Sequence, residues 1–177
     1  MKKQFKKELI PQKAEEISSQ SGQIKALKQF RLIFKATQQH SQWVESQLGV
    51  TNAQLWAIWE ISKTQDLKVT ELAKAMSIHH STACSMLDKL VRKKLVERKR
   101  ISTDQRVVTL HLTEAGLNII SQAPPAAQGI LQHAIFGLPE DVVNTLALHL
   151  KMLVKAMNIQ DTESAMEPIN PLPKRKK

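Results

Sequence analysis

A chain of 177 residues is one domain's worth of sequence, enough to bury about two thirds of its unfolded surface. Its 26 Lys/Arg against 16 Asp/Glu give a net charge of +10, which points to a polyanionic partner without separating DNA, RNA and membrane surface. No apolar tract approaches the length of a membrane span, the basic start MKKQFKKELIPQK lacks the apolar run of a signal peptide, and the single cysteine excludes an intramolecular disulfide. These features fit a reducing cytoplasm and a protein that does not enter the membrane.

In chain order, residues 1–22 are charged and polar and read as a basic flexible arm. A short amphipathic helix on Phe5, Leu9 and Ile10 is the other reading. Residues 24–48 predict a long helix, with Ile24, Leu27, Phe30 or Arg31, Phe34, Thr37 and Val44 on a helical stripe and Gly49 beyond its end. Thr51 then caps a helix carrying Leu55, Ile58 and Trp59, in which Trp56 and Trp59 share a face as core or subunit-contact residues. Val69, after a polar connector, is expected to pair weakly with the later strands as a third edge.

Residues 70–112 predict two short helices followed by a basic hairpin. Thr70 is the expected cap of the first, which carries Leu72, Ala73 and Met76; Ser77 and Ile78 form the break. The second is expected over residues 80–93. Ala83, Met86, Leu87, Leu90 and Val91 form its apolar face, and Ser81, Ser85, Asp88, Lys89 and Arg92 lie opposite. A helix with small polar residues at its N-terminal half suits the DNA major groove. His80, Ser81, Thr82 and Ser85 are the base-edge candidates. Lys89, Arg92 and Lys93, with Arg98, Lys99 and Arg100 of the hairpin, are the phosphate candidates. Strands at 96–100 and 107–112 bracket a tip over 101–106. There Arg106 is the candidate for a narrow minor groove and Asp104 the residue that positions an arginine.

Thr113 caps the next helix, with Glu114 in its first turn, and Pro124-Pro125 must interrupt it. A helix resumes through Ile130, Leu131, Ala134 and Ile135 and closes at Gly137. Pro139 at an N1-like position opens the last helix. That helix has two apolar stripes: Val142, Leu146, Leu150, Leu153 and Met157 on one, Val143, Ala147, Leu148 and Val154 on the other. One stripe can pack within the subunit and the other needs a partner, which is the sequence argument for a homodimer. The tail from Gln160, with three prolines and the end Lys174-Arg175-Lys176-Lys177, reads as disordered and basic.

Taken in order and at their spacings, Thr70-Glu71-Leu72-Ala73, Ser81-Thr82 with Asp88 and Leu90, Leu95-Val96, Asp104-x-Arg106 and Leu112-Thr113-x-x-Gly116 resemble the signatures of the MarR family of winged helix-turn-helix transcriptional regulators. The likeness covers roughly residues 25–156. It departs at Ser85, where the family often has Arg, at Lys94, where it usually has Gly, and at His79, where a Ser or Asp cap is common. The resemblance implies a mainly α fold with a small β-wing. A winged lobe at 51–112 would be flanked by a helical dimerisation region at 23–50 and 113–158, between the arm at 1–22 and the tail at 160–177. It also implies a repressor that binds a palindromic double-stranded operator as a homodimer and occludes a promoter. A small-molecule inducer that changes the separation of the winged lobes would relieve the repression, with Trp43, Trp56 and Trp59 as candidate pocket residues.

No catalytic constellation, phosphate loop or paired-cysteine metal motif is visible, so the chain reads as a non-enzyme without cofactor or metal. The adjacent His79-His80 point differently on a helix and make a poor chelate. Cys84, one turn into the second helix, reads either as a small filler or as a redox-sensitive thiol whose oxidation would obstruct DNA. Two other functions stay open: a nonspecific chromosome-associated DNA-binding protein, and a protein-interaction module with a winged-helix fold.

Overall fold

The computed structural model describes the backbone of residues 9–101 and 104–169, and side chains over residues 21–100 and 108–169. Its order is α1 (Leu9–Leu48), α2 (Asn52–Lys63), α3 (Val69–Ala75), α4 (His80–Arg92), β1 (Val96–Ile101), β2 (Asp104–Leu112), α5 (Glu114–Gln122), α6 (Ile130–Phe136) and α7 (Glu140–Ala156). A 3-10 turn follows at Glu163–Met166. Mainly helical, with one antiparallel pair of strands, this is the fold class that the sequence predicts.

The chain divides into two compact units, residues 1–36 and 37–177. In the first, the arm expected over residues 1–22 is helical from Leu9 on. Ile24, Leu27 and Phe34 are exposed there, with Phe30 and Phe34 ring centroids 6.5 Å apart.

The second unit holds the core. Leu55 and Ile58 of α2, Leu72 of α3, Leu87 and Leu90 of α4, and Val96 and Leu110 of the strands are all fully buried. Short, well-closed connections bring these elements together. Gly49 adopts φ +65° after α1, and its N–H donates to the Glu45 carbonyl at 3.1 Å, as a C′ glycine does. Thr51 and Gln54 cap α2 reciprocally: the Thr51 hydroxyl accepts from the Gln54 N–H at 3.3 Å, and Gln54 Oε1 accepts from the Thr51 N–H at 3.2 Å.

The break between α3 and α4 is a Schellman motif. Ser77 sits at φ +51°, its N–H donates to Lys74 O at 3.1 Å, and the Ile78 N–H donates to Ala73 O at 3.0 Å. Buried Ile78 then pins the turn to the core.

Several local expectations are corrected. Thr70 lies inside α3; the cap is Lys68, whose N–H donates to Glu71 Oε2 at 2.8 Å, because a carboxylate three residues on can satisfy it. The third edge is made by Leu67 and Lys68: Lys68 bridges Thr109, and the Leu110 N–H donates to Leu67 O at 2.9 Å. Val69 has already turned into the helix. Val91 is 37% exposed, since it falls at the margin of the stripe formed by Ala83, Met86, Leu87 and Leu90. Lys93 is the C-cap of α4, and Pro139 is the N-cap of α7 rather than its first helical residue.

A second Schellman motif ends α4. Lys94, at φ +57°, donates its N–H to Val91 O at 2.9 Å, and the Leu95 N–H donates to Leu90 O at 3.0 Å. A side chain in this left-handed region costs about 1–2 kcal/mol, which glycine avoids at an entropic cost of about 0.5–1 kcal/mol. Lys94→Gly is therefore expected to stabilise the fold by about 0.5–1 kcal/mol. Urea denaturation tests it: a lower midpoint for the variant would contradict the strain assigned to Lys94.

Candidate nucleic-acid interface

The α4 helix presents two distinct faces. Ala83, Met86, Leu87 and Leu90 are buried, while Ser81, Ser85, Asp88, Lys89 and Arg92 are exposed and Thr82 is half-buried. The predicted polar face is thus largely exposed along the helix, with hydroxyls in its N-terminal half and cations in its C-terminal half. His80 is also exposed, at the first helical position. The first turn of α4 holds no acid, whereas α3 and α5 each place one there and α7 two, where the helix dipole favours them.

Three of the six phosphate candidates have partners within the lobe. Lys93 Nζ donates to the Gly49 carbonyl at 2.6 Å and lies 3.4 Å from Gln54 Oε1, fastening the end of α4 to the α1–α2 turn. Arg98 pairs with Asp88 at 2.9 Å and so links β1 to the exposed edge of α4. Both side chains of that pair are exposed, so it orients more than it stabilises. Lys99 pairs with Glu97 at 2.7 Å. Lys89, Arg92 and Arg100 lie on the surface.

The wing differs from expectation at its end. β1 and β2 reach Ile101 and Asp104, with a register irregularity between Arg100 and Ile101. The connection is therefore shorter than the predicted 101–106 tip, and the backbone of Asp104 and Arg106 belongs to β2. Their side chains lie outside the described residues. At its root the wing is held by buried Thr109, whose hydroxyl donates to Lys99 O at 3.3 Å, and by His111, which lies 3.4 Å from Asp66.

The three tryptophans differ in their surroundings. Trp56 is buried and donates its indole N–H to Glu60 Oε1 at 2.9 Å. Trp59 is half-buried beneath the Lys63 ammonium, 3.7 Å from the ring centroid, and Trp43 is 43% exposed. No tryptophan lines the cavity beside α4 or the one between the α2–α3 connector and the wing. Cys84 is half-buried, its Sγ 3.6 Å from His80 Nδ1 one turn earlier. Among the described residues no cluster of three or more His, Cys, Asp or Glu could hold a metal. On α1, burial pushes the His40 imidazole below its ordinary 6.5, and a hydrogen bond to the Ala126 backbone partly opposes this.

One feature of this surface escapes the sequence reading. The sequence predicts a disordered tail from Gln160, yet Asp161 organises a turn after it. Asp161 Oδ1 accepts from the N–H groups of Glu163 and Ser164 at 3.0 and 3.2 Å. At the end of that turn the Met166 carbonyl accepts from the N–H of His79, the N-cap of α4, at 3.1 Å. Glu167, Pro168 and Ile169 then share a cavity of about 710 Å³ with Thr82, Ser85, Lys89 and Arg92. The basic end of the tail lies outside the described residues.

The family model that matches this chain is that of the MarR family, over residues 50–108, which spans α2 through the wing. The repressor MdtR of Bacillus subtilis is 40% identical over 68 residues, covering 38% of this chain and 44% of that protein, less than half its length. The S. aureus MepR–DNA complex shares the fold with a TM-score of 0.52 at 23% identity, over 73% of this chain and 96% of that one. The reduced form of MarR from E. coli is 31% identical, over 70% of this chain and 94% of that one, with a TM-score of 0.48. The curated relatives are named as transcriptional regulators rather than enzymes. The match of residues 50–108 to the family model places the central lobe of this chain, from α2 through the wing, in the MarR family.

Proposed function

We propose that this protein is a sequence-specific double-stranded DNA-binding regulator, a repressor that acts in the cytoplasm as a homodimer on an inverted repeat. The observation that carries the reading is the exposed face of α4, on which Ser81 and Ser85 lead into Lys89 and Arg92 above a fully buried apolar stripe. Small hydroxyl side chains permit close approach to base edges, and cations farther along meet phosphate. The likeness in sequence to a named repressor over 68 residues supports it. Uncovered apolar side chains support the homodimer. No residue of α7 is fully buried, and Val142, Leu146, Leu148, Met152 and Leu153 are exposed along it. Release by a small-molecule inducer belongs to the same proposal and rests on the family resemblance; an inducer would act by favouring a lobe spacing that DNA does not fit.

The test is binding of the full chain to DNA surrounding its own gene, by anisotropy against scrambled duplex at several salt concentrations. A footprinted inverted repeat bound at least about a thousand-fold over scrambled DNA is the expected result. Equal binding to both, falling steeply with salt, would replace it with nonspecific chromosome association. Absence of binding at any salt would leave a protein-interaction module.

A further inference from the structure

The segment whose turn bonds to His79 has the opposite charge from the α4 surface beside it. From Gln160 to Ile169 the sequence QDTESAMEPI carries Asp161, Glu163 and Glu167 and no Lys or Arg, in a chain of net charge +10. Lys89 and Arg92 of α4 line the same concave surface as Glu167, Pro168 and Ile169. The segment also has its own local structure. Besides the Asp161 cap, the Ala165 N–H donates to Thr162 O at 3.2 Å and the Glu167 N–H to Ser164 O at 3.1 Å. Among the described residues, its backbone bond to the lobe falls at the N-terminus of α4, the end a groove-docking helix presents to DNA. A turn seated there, continuing along Thr82 and Ser85, occupies space that a duplex would need.

We propose that residues 161–169 form an autoinhibitory strap over the nucleic-acid face of α4 and must lift before DNA docks; this rests on the reading of α4 as the DNA-reading helix. Charge supplies the device. Phosphate repels the acidic strap and attracts Lys174-Arg175-Lys176-Lys177 a few residues beyond it, so an approaching duplex draws the strap away from α4. Only the open state binds, and the apparent dissociation constant exceeds the intrinsic one by the reciprocal of the open fraction. A strap closed about 90% of the time therefore weakens binding about tenfold.

The experiment replaces residues 163–169 of the full chain with a Gly/Ser stretch of equal length, keeping the basic end. Affinity for the footprinted operator and for scrambled duplex is then compared with that of the unaltered chain. The expected result is binding about tenfold tighter to operator and scrambled duplex alike. Unchanged or weaker affinity in the variant, with DNA binding intact in the parent, overturns the strap alone. Failure of both proteins to bind DNA overturns the reading of α4, and the strap with it. Hydrogen exchange on the unaltered chain gives an independent readout. On addition of operator, amides 163–167 are expected to exchange faster while those of α4 slow. Equal or greater protection of 163–167 in the complex overturns the strap.

Discussion

Gly116→Ala is expected to lower folding stability by about 3 kcal/mol, the upper end of overpacking costs. A Cβ at this position would lie 2.2 Å from the Leu95 carbonyl oxygen and 3.2 Å from its carbon. The obstacle is backbone, so no rotamer change relieves it. Leu95 O also accepts from the Thr113 N–H at 3.2 Å. The Thr113 hydroxyl accepts from the Gly116 N–H at 3.1 Å and donates to Lys94 O at 2.7 Å. One methyl group must therefore push the start of α5 off the α4–β1 link and disturb all three bonds. Gly22→Ala is the matched control. It sits within α1 with no atom near its Cβ position, and is expected to be neutral or to stabilise by up to about 1 kcal/mol. Urea midpoints for the two variants decide it. A Gly116→Ala midpoint equal to that of the parent chain would show that α5 does not approach Leu95 so closely.

That glycine also shows what the sequence makes legible. Leu112-Thr113-x-x-Gly116 could be read as the start of a helix, because a threonine cap is a local bond and local bonds leave local signatures. The close approach that requires glycine joins residues 21 apart in sequence and becomes visible only in the fold. The same division runs through the interface. The buried and exposed faces of α4 followed from helical spacing, with Val91 misplaced at the margin. The engagement of Lys93 with Gly49 and of Arg98 with Asp88 did not, since a cation's partner depends on tertiary neighbours. In the sequence Thr70 resembles a cap, because Lys68 has no capping side chain and Glu71 caps it from within the helix. The strap was hidden for a related reason. Its prolines and charged residues match the composition of a disordered tail, and the backbone bond from His79 to Met166 depends on neither side chain. Three acids with no intervening base, in so basic a chain, were the one available signal.

Ser81→Glu is expected to move stability and DNA affinity in opposite directions. Ser81 is exposed in the first turn of α4, where no acid is present. A carboxylate there interacts favourably with the helix dipole and should stabilise the fold by about 0.3–1 kcal/mol. If that turn enters a major groove, the same carboxylate faces phosphate and base edges, and like charges juxtaposed in an interface cost several kcal/mol. Affinity for DNA should then fall at least about a hundredfold, which corresponds to about 2.7 kcal/mol. The added charge would also repel Glu163 and Glu167 and loosen the strap, which by itself would tighten binding. A net loss therefore assigns the effect to the groove contact. Part of the loss should disappear as salt screens the repulsion. Ser81→Ala, which removes the hydroxyl without adding charge, should lose less than about tenfold, within the range of one base-edge contact. Anisotropy titrations at low and high salt, paired with thermal melts of each variant, separate the two effects. A Ser81→Glu protein that melts higher and still binds operator normally would place the first turn of α4 outside the groove, and the DNA-reading surface would then have to be sought on the wing.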